Sequence, residues 1–240
     1  MYSLPYEDKI IEYTLIKSKR KTVGIKITDR GEVVVSAPLR ASEKVIEEIV
    51  LKKARWIVEK LKLVNEKRKN VERREFIDGA TIPLLGDEYP LIVKEALIKG
   101  SSLKFDGKVF NVRVNKALTN EERQQFIKEV LIIWMRKKAK EIFEERTRYY
   151  ANRLELNFNK ITIKEQKTLW GSCSSKNNIN FNWRLVLAPI EVLDYVVVHE
   201  LCHLKHRNHS KEYWGFVKEA MADYEEKRQW LKINGGTLVL

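Results

Sequence analysis

All four histidines of this 240-residue chain fall within eleven residues, at His199, His203, His206 and His209. They lie directly behind the apolar run Val192-Leu-Asp-Tyr-Val-Val-Val. A run that apolar faces a core, and imidazoles held beside a core need partners. The spacing predicts a helix from about Ile190 to Lys205, with Pro189 at an N-terminus that tolerates proline. Residues four apart on a helix share a face, so His199 and His203 can present both rings to one ion.

The stretch His199-Glu-Leu-Cys-His203 is an H-E-x-x-H pattern, whose chemistry follows from its geometry. Neutral imidazole suits zinc at about 2.0–2.1 Å. Glu200 sits beside the first ligand, near a zinc-bound water rather than on the metal. Zinc brings the pKa of such a water to about 7, and a nearby carboxylate can accept its proton. A catalytic zinc keeps three protein ligands and one open position. The candidates for the third are His206 and His209. Three histidines on one straight helix place a tetrahedral set poorly, which disfavours His206. Asn208 could break the helix in a left-handed turn and fold His209 back under the metal. His209 is the favoured third ligand.

Along the rest of the chain, period-two alternation predicts strands at 13–17, 23–27 and 33–38, with a turn at Asp29-Arg-Gly31 and Pro38 as a stop. Ser42 can cap a helix with apolar positions at Val45, Ile49, Ala54, Trp56, Ile57 and Leu61. That helix fades into the basic stretch 65–74, read as solvated with an option for phosphate contact. Residues 76–115 return to strands broken by Gly79, Gly86, Gly100 and Gly107, with a hairpin over 76–93. From Thr119 to about Leu156 a long helix is expected, with Glu122 completing a capping box. Phe126, Val130, Ile133, Trp134 and Ile142 are its expected buried stripe. Residues 161–164 and 179–187 alternate as strands around the loop 171–178, and a last helix runs from Ser210 to about Lys232. No internal repeat stands out. The expected organisation is a strand-rich N-terminal part with one long helix over 1–117 and a second part over 118–240.

At the histidine cluster the sequence resembles the YgjP-like metallopeptidase family. The residues that carry the resemblance are His199-Glu-Leu-Cys-His-Leu-Lys-His-Arg-Asn-His-Ser-Lys-Glu-Tyr-Trp214, Trp170-Gly-Ser-Cys-Ser-Ser and Asn178-Ile-Asn-Phe-Asn-Trp-Arg-Leu-Val-Leu-Ala-Pro189. Ser36-Ala-Pro38 before a helix containing Ala54-Arg-Trp56 is also similar. That family is similar to the SprT-like and Wss-type zincin proteases. The resemblance implies an α+β fold with a zincin-like catalytic region, an active-site helix packed on a mixed sheet. It also implies zinc on His199, His203 and His209, with Glu200 as general base. The metzincins share the histidine spacing, but their pattern has a glycine where this chain has His206, and their Met-turn has no counterpart here.

In zincins a strand edges the cleft, and an extended peptide can pair with it by strand addition. Residues 160–187 could supply that edge, with Trp170, Gly171, Ser172 and Cys173 as candidate substrate contacts. Gly171 would permit close backbone approach. Cys173 could instead be a fourth metal ligand, while Cys202 and Cys173 otherwise read as reduced thiols. Arg184 could stabilise an oxyanion or form an ion pair. Trp183 and Trp214 read as core, and Tyr213 as a possible donor to a tetrahedral intermediate.

Composition bounds the remaining classes. Hydrophobic residues make up 44% and charged residues 33%, a globular balance rather than a disordered one. No apolar run is long enough to cross a bilayer, and the N-terminus lacks the layout of a signal peptide. A cytoplasmic location without membrane partners is expected. The net charge of +13 favours anionic partners, so nucleic acid or another polyanion stands beside a peptide or protein substrate. The leading expectation is a zinc-dependent peptidase. The alternatives are a nucleoside triphosphate hydrolase, for which no phosphate-cradling loop is present, and a non-catalytic zinc-stabilised module that binds nucleic acid or protein.

Overall fold

The computed structural model describes residues 2–28, 31–72, 75–97, 102–166 and 169–240, without the side chains of 66–72. Asp29, Arg30, Gly100 and the side chains of most of the basic stretch lie outside the described residues. The chain divides into two compact units, Met1–Arg74 and Glu75–Leu240.

The first unit is a sheet covered by helix. Its strands are β1 (Tyr2–Tyr6), β2 (Lys9–Ser18), β3 (Gly24–Ile27) and β4 (Val33–Pro38), in the order β1-β2-β4-β3. Helices α1 (Glu43–Lys52) and α2 (Ala54–Glu72) follow. Alternation along the strands turns Ile11, Tyr13, Val33 and Val35 to one face, where they share a core with Ile46, Val50, Ala54 and Ile57. Ser42 caps α1 as expected, accepting from Val45 N–H at 3.4 Å. The expected single helix breaks at Lys53, whose N–H turns back to the Val50 carbonyl at 3.0 Å. Of the expected stripe, Val45 and Trp56 are exposed instead.

The second unit opens with β5 (Thr81–Leu84), β6 (Asp87–Ala96), β7 (Ser102–Phe105), β8 (Phe110–Asn115) and the long helix α3 (Asn120–Arg153). This sheet has the order β5-β6-β8-β7, the topology of the first unit again. The pairing registers match as well. Leu4 pairs with Ile11 as Ile82 pairs with Tyr89. Tyr13 pairs with Val33 as Leu91 pairs with Phe110. Ile25 pairs with Val35 as Leu103 pairs with Val112. Glu7 and Leu85, both at positive φ, hold the same place in the first hairpin, and Ser42 and Thr119 cap the following helices. The chain therefore contains an internal structural repeat that its sequence conceals. The two copies share alternation more than identities, and alternation is common to most half-buried strands.

The expected boundary near 117 falls inside the second unit, because β6, β8 and α3 bury Leu91, Phe110, Ile127 and Leu131 in one core. Thr119 and Glu122 form the capping box. The buried stripe of α3 is Ile127, Leu131, Met135 and Ala139, continuing through Ile142. Ile133 is 68% exposed, while Phe126, Val130 and Trp134 are only partly buried. The expected stripe was rotated by about one residue, and α3 is covered on more than one side.

After α3 come β9 (Ile161–Lys164), β10 (Gly171–Cys173) and β11 (Ile179–Asn182). They form a mixed sheet in the order β10-β11-β9, with β9 parallel and β10 antiparallel to β11. The expected strand 179–187 ends early, and Trp183–Leu187 is a 3-10 turn. Asn182 makes the bend. Its buried side chain accepts from Arg184 N–H and donates to the carbonyls of Gln166 and Leu169. Helix α4 (Ile190–Cys202) is buried almost all round and lies against β10 and α3. The hairpin between β5 and β6 braces its entry, since Leu85 N–H donates to the Val186 carbonyl at 2.7 Å. The expected last helix is two, α5 (Lys211–Ala220) and α6 (Tyr224–Asn234). The chain is thus α+β, with the histidine helix on a mixed sheet as expected. No helix among the described residues is long and apolar enough to cross a membrane.

Candidate metal centre

Helix α4 carries His199 and Glu200 near its end, and His203 is its C-cap, still in helical conformation. The helix stops there, well before Asn208, and Asn208 is not at positive φ. The expected left-handed break at that residue is absent. The connection 204–209 instead leaves from the C-cap, and His209 returns just before Ser210 caps α5.

This path brings three imidazoles together. One ring nitrogen from each of His199, His203 and His209 lies within 4.8 Å of the others. His199 Nε2 and His209 Nε2 are 3.2 Å apart. Tetrahedral ligands at about 2.0–2.1 Å from zinc stand about 3.3 Å from one another, so the His199–His209 spacing fits a shared ion. Protonation fits too. Burial and the neighbouring histidines pull His199 down to about 3, and burial also lowers His203, leaving neutral rings with lone pairs to offer. His203 Nδ1 meets the His206 carbonyl at 3.0 Å, which turns its Nε2 toward the other rings. His206 contributes this carbonyl, while its ring packs edge-on to Phe216.

Glu200 is 4% exposed, and its Oε2 has no hydrogen-bond partner among the described residues. Burial pushes its carboxyl up to about 8. It lies directly on β10. A Cβ added to Gly171 would stand 2.6 Å from Glu200 Oε1 and 2.7 Å from Cγ. Glycine is needed there because the glutamate occupies the space, a different reason from the expected approach of a second backbone.

The other sequence candidates separate. Ser172 points to the opposite face from Gly171 and accepts from Asn180 Nδ2 at 3.0 Å. Cys173 lies beside Arg207, with Sγ 3.5 Å from Nη1, and is outside the three-nitrogen cluster. Cys202 is fully buried in the core, where desolvation pushes its thiol up to about 12. Trp170 packs against Gly235. Arg184 donates to Glu165 at 2.9 Å and stands over the buried Trp183 ring, so the ion-pair alternative describes its contacts. Tyr213 is buried and donates to the His199 carbonyl at 3.0 Å, which commits its hydroxyl to bracing the ligand helix. Trp214 is more than core. It stacks on His209 at 5.5 Å and on Tyr224 at 5.5 Å, with the Arg228 guanidinium 4.5 Å from its ring. Arg207 is not legible from the sequence, since a lone exposed arginine in a loop carries no periodic signal.

Among solved structures the chain is similar to a metallopeptidase zymogen, abylysin of Pyrococcus abyssi, at 21% identity. That match covers 38% of this chain and 93% of the other, with a TM-score of 0.34. The metallopeptidase zymogen jannalysin of Methanocaldococcus jannaschii is similar at 23% identity, covering 36% of this chain and 90% of the other, with a TM-score of 0.33. No functionally curated protein matches the chain. The family model for the YgjP-like metallopeptidase domain matches residues 21–234. With that match spanning most of its length, the chain belongs to the YgjP-like family and carries its metallopeptidase domain.

Proposed function

We propose that this chain is a zinc-dependent peptidase in which His199, His203 and His209 hold the metal and Glu200 is the general base. The observation that carries this reading is the convergence of three imidazole nitrogens within 4.8 Å, next to a buried carboxylate. A zinc ion held there would supply a Lewis acid that acidifies water and polarises a carbonyl. Glu200 is suited to take a proton on a carboxylate oxygen, hold it in a dry environment and return it to the departing amine. Tyr213 and the His206 carbonyl keep the ligand set in place. Strand β10 forms one edge of its sheet, so an extended substrate can add alongside Gly171 and Ser172. Membership of a metallopeptidase family supports the peptide bond over a phosphoanhydride as the target.

The test is metal analysis paired with activity on casein. Glu200→Gln is expected to keep one zinc per chain and lose cleavage. His209→Ala is expected to lose zinc, while His206→Ala keeps it. Zinc that survives His209→Ala but falls with His206→Ala would overturn the ligand set. Hydrolysis of nucleotides without hydrolysis of casein would overturn the peptidase reading.

A further inference from the structure

The three candidate ligands are not held equally. His199 rides on α4 and His203 on its cap, but His209 stands in the connection just before the N-cap of α5, its ring stacked on Trp214 of that helix. The path of the connection that leads into His209 has to be fixed as well, because a tetrahedral site tolerates little displacement of a ligand.

Arg207 does this from within the connection, two residues before His209. Its Nη1 donates to the Ser174 carbonyl at 2.8 Å, and its Nη2 donates to Asn177 Oδ1 at 2.5 Å. Ser174 directly follows β10, and Asn177 sits in the turn between β10 and β11 at a φ of 57°. One planar guanidinium thus ties the loop of the third ligand to the strand that borders Glu200. A fork of this kind fixes direction as well as distance, which a lysine cannot do.

We propose that Arg207 is a positioning residue that couples the metal site to the edge strand β10. It holds His209 within reach of the other two imidazoles, and it anchors the end of β10 whose opposite end, Gly171, lies against Glu200. Loss of the fork therefore affects two things at once, metal retention and the docking of substrate on β10. The second effect rests on the peptidase reading; the first does not.

The experiment compares wild type with Arg207→Ala, Arg207→Lys and Asn177→Gly. The last removes one acceptor while keeping a residue that accepts positive φ. Zinc affinity is measured by competition with a chromogenic chelator, and kcat and KM on a peptide at saturating zinc. Arg207→Ala is expected to weaken zinc about ten-fold, the usual scale for groups that orient ligands. KM rises several-fold while kcat stays near wild type. Arg207→Lys recovers part of the zinc affinity, and Asn177→Gly shows a smaller loss in the same direction. The double variant Arg207→Ala with Asn177→Gly is no worse than Arg207→Ala alone, because both act through one contact. Wild-type zinc affinity in Arg207→Ala overturns the proposal. Weakened zinc with unchanged KM overturns the coupling to β10. A wild-type protein that cleaves no peptide but loses zinc on Arg207→Ala sinks the peptidase reading and leaves the positioning role standing. Should Arg207→Ala fail to fold, Arg207→Lys and Asn177→Gly decide the same question.

Discussion

The two copies of the repeated module, β1–β4 with α1 and α2, and β5–β8 with α3, share strand order and register but differ in what their helices do. In the first copy Val50, Ala54 and Ile57 cover the sheet, and the sequence beyond turns to Lys62, Lys67, Arg68 and Lys69. In the second copy Ile127, Leu131 and Met135 cover the sheet, and the helix continues through Ala139, Ile142, Phe143 and Thr147, all buried. That continuation packs against α4, the helix that carries His199 and Glu200. The difference teaches that the fold of the module and the support of the site are separable. A second buried stretch on one helix brings a copy against the helix that carries the histidine cluster.

The largest expected effect tests that contact. Arg146, on the continuation of α3, makes two hydrogen bonds at 2.7 and 2.5 Å to Asp194 of α4, which is 5% exposed. Tyr150 adds a third at 3.1 Å. Arg146→Ala leaves a buried charge without its main partner and is expected to cost about 4 kcal/mol, read by denaturant unfolding. A loss below about 1 kcal/mol would break the claim that α3 secures the ligand helix through this pair.

The next contrast is between equivalent core positions. Phe110 is fully buried and stacks with Phe105 at 4.4 Å, while its counterpart Val33 is a smaller buried side chain. Phe110→Ala is expected to cost about 3 kcal/mol and Val33→Ala about 2 kcal/mol. The sharper expectation concerns zinc affinity, which should fall for Phe110→Ala and hold for Val33→Ala. Equal losses of zinc would show that the first copy also supports the site.

The pH dependence should separate the units as well. Every buried polar or charged side chain among the described residues, including Asp194 and Glu200, lies in the second unit. Burial raises Glu200 from 4.5 to about 8 in the folded metal-free protein. A carboxyl whose folded pKa is raised contributes fully below its unfolded pKa, and that contribution is lost as pH rises toward the folded value. Metal-free Glu200→Gln should therefore be more stable than wild type at pH 8–9, by roughly 2 kcal/mol, with the gain shrinking toward pH 4.5. Thermal melts across this window check it, and a gain that grows on acidification would reverse the sign.

The smallest contrast is at the helix caps. Thr119 has a full capping box with Glu122, whereas Ser42 has Val45 at the matching position. Thr119→Ala is expected to cost about 1 kcal/mol and Ser42→Ala about 0.5 kcal/mol. The reverse order would mean that the returning glutamate adds nothing.

Much of this was legible in the sequence wherever the signal was local. The capping box at Thr119, the cap at Ser42 and the pair His199 and His203 all rest on spacings of four residues or fewer within one segment. Errors arose where a neighbour decides. The stripe of α3 was misplaced by one position because two surfaces compete for that helix. The strand after Ile179 was overextended because alternation cannot reveal that Asn182 will hydrogen-bond back to Gln166 and Leu169. The repeat is not visible in the sequence because equivalent positions keep burial and register rather than residue type.

The sequence by itself determined the helix of His199, Glu200 and His203, since the periodicity of an α-helix makes a shared face inevitable. It also narrowed the third ligand to two histidines. Only the tertiary structure set where those two histidines go, by ending α4 at His203, bringing His209 back beside His199 and tying the loop before it to the β10–β11 turn through Arg207. It alone gave Gly171 its reason, the carboxylate of Glu200 lying where a side chain would be. These outcomes depend on contacts between residues from ten to more than thirty positions apart, and no local pattern encodes such distances.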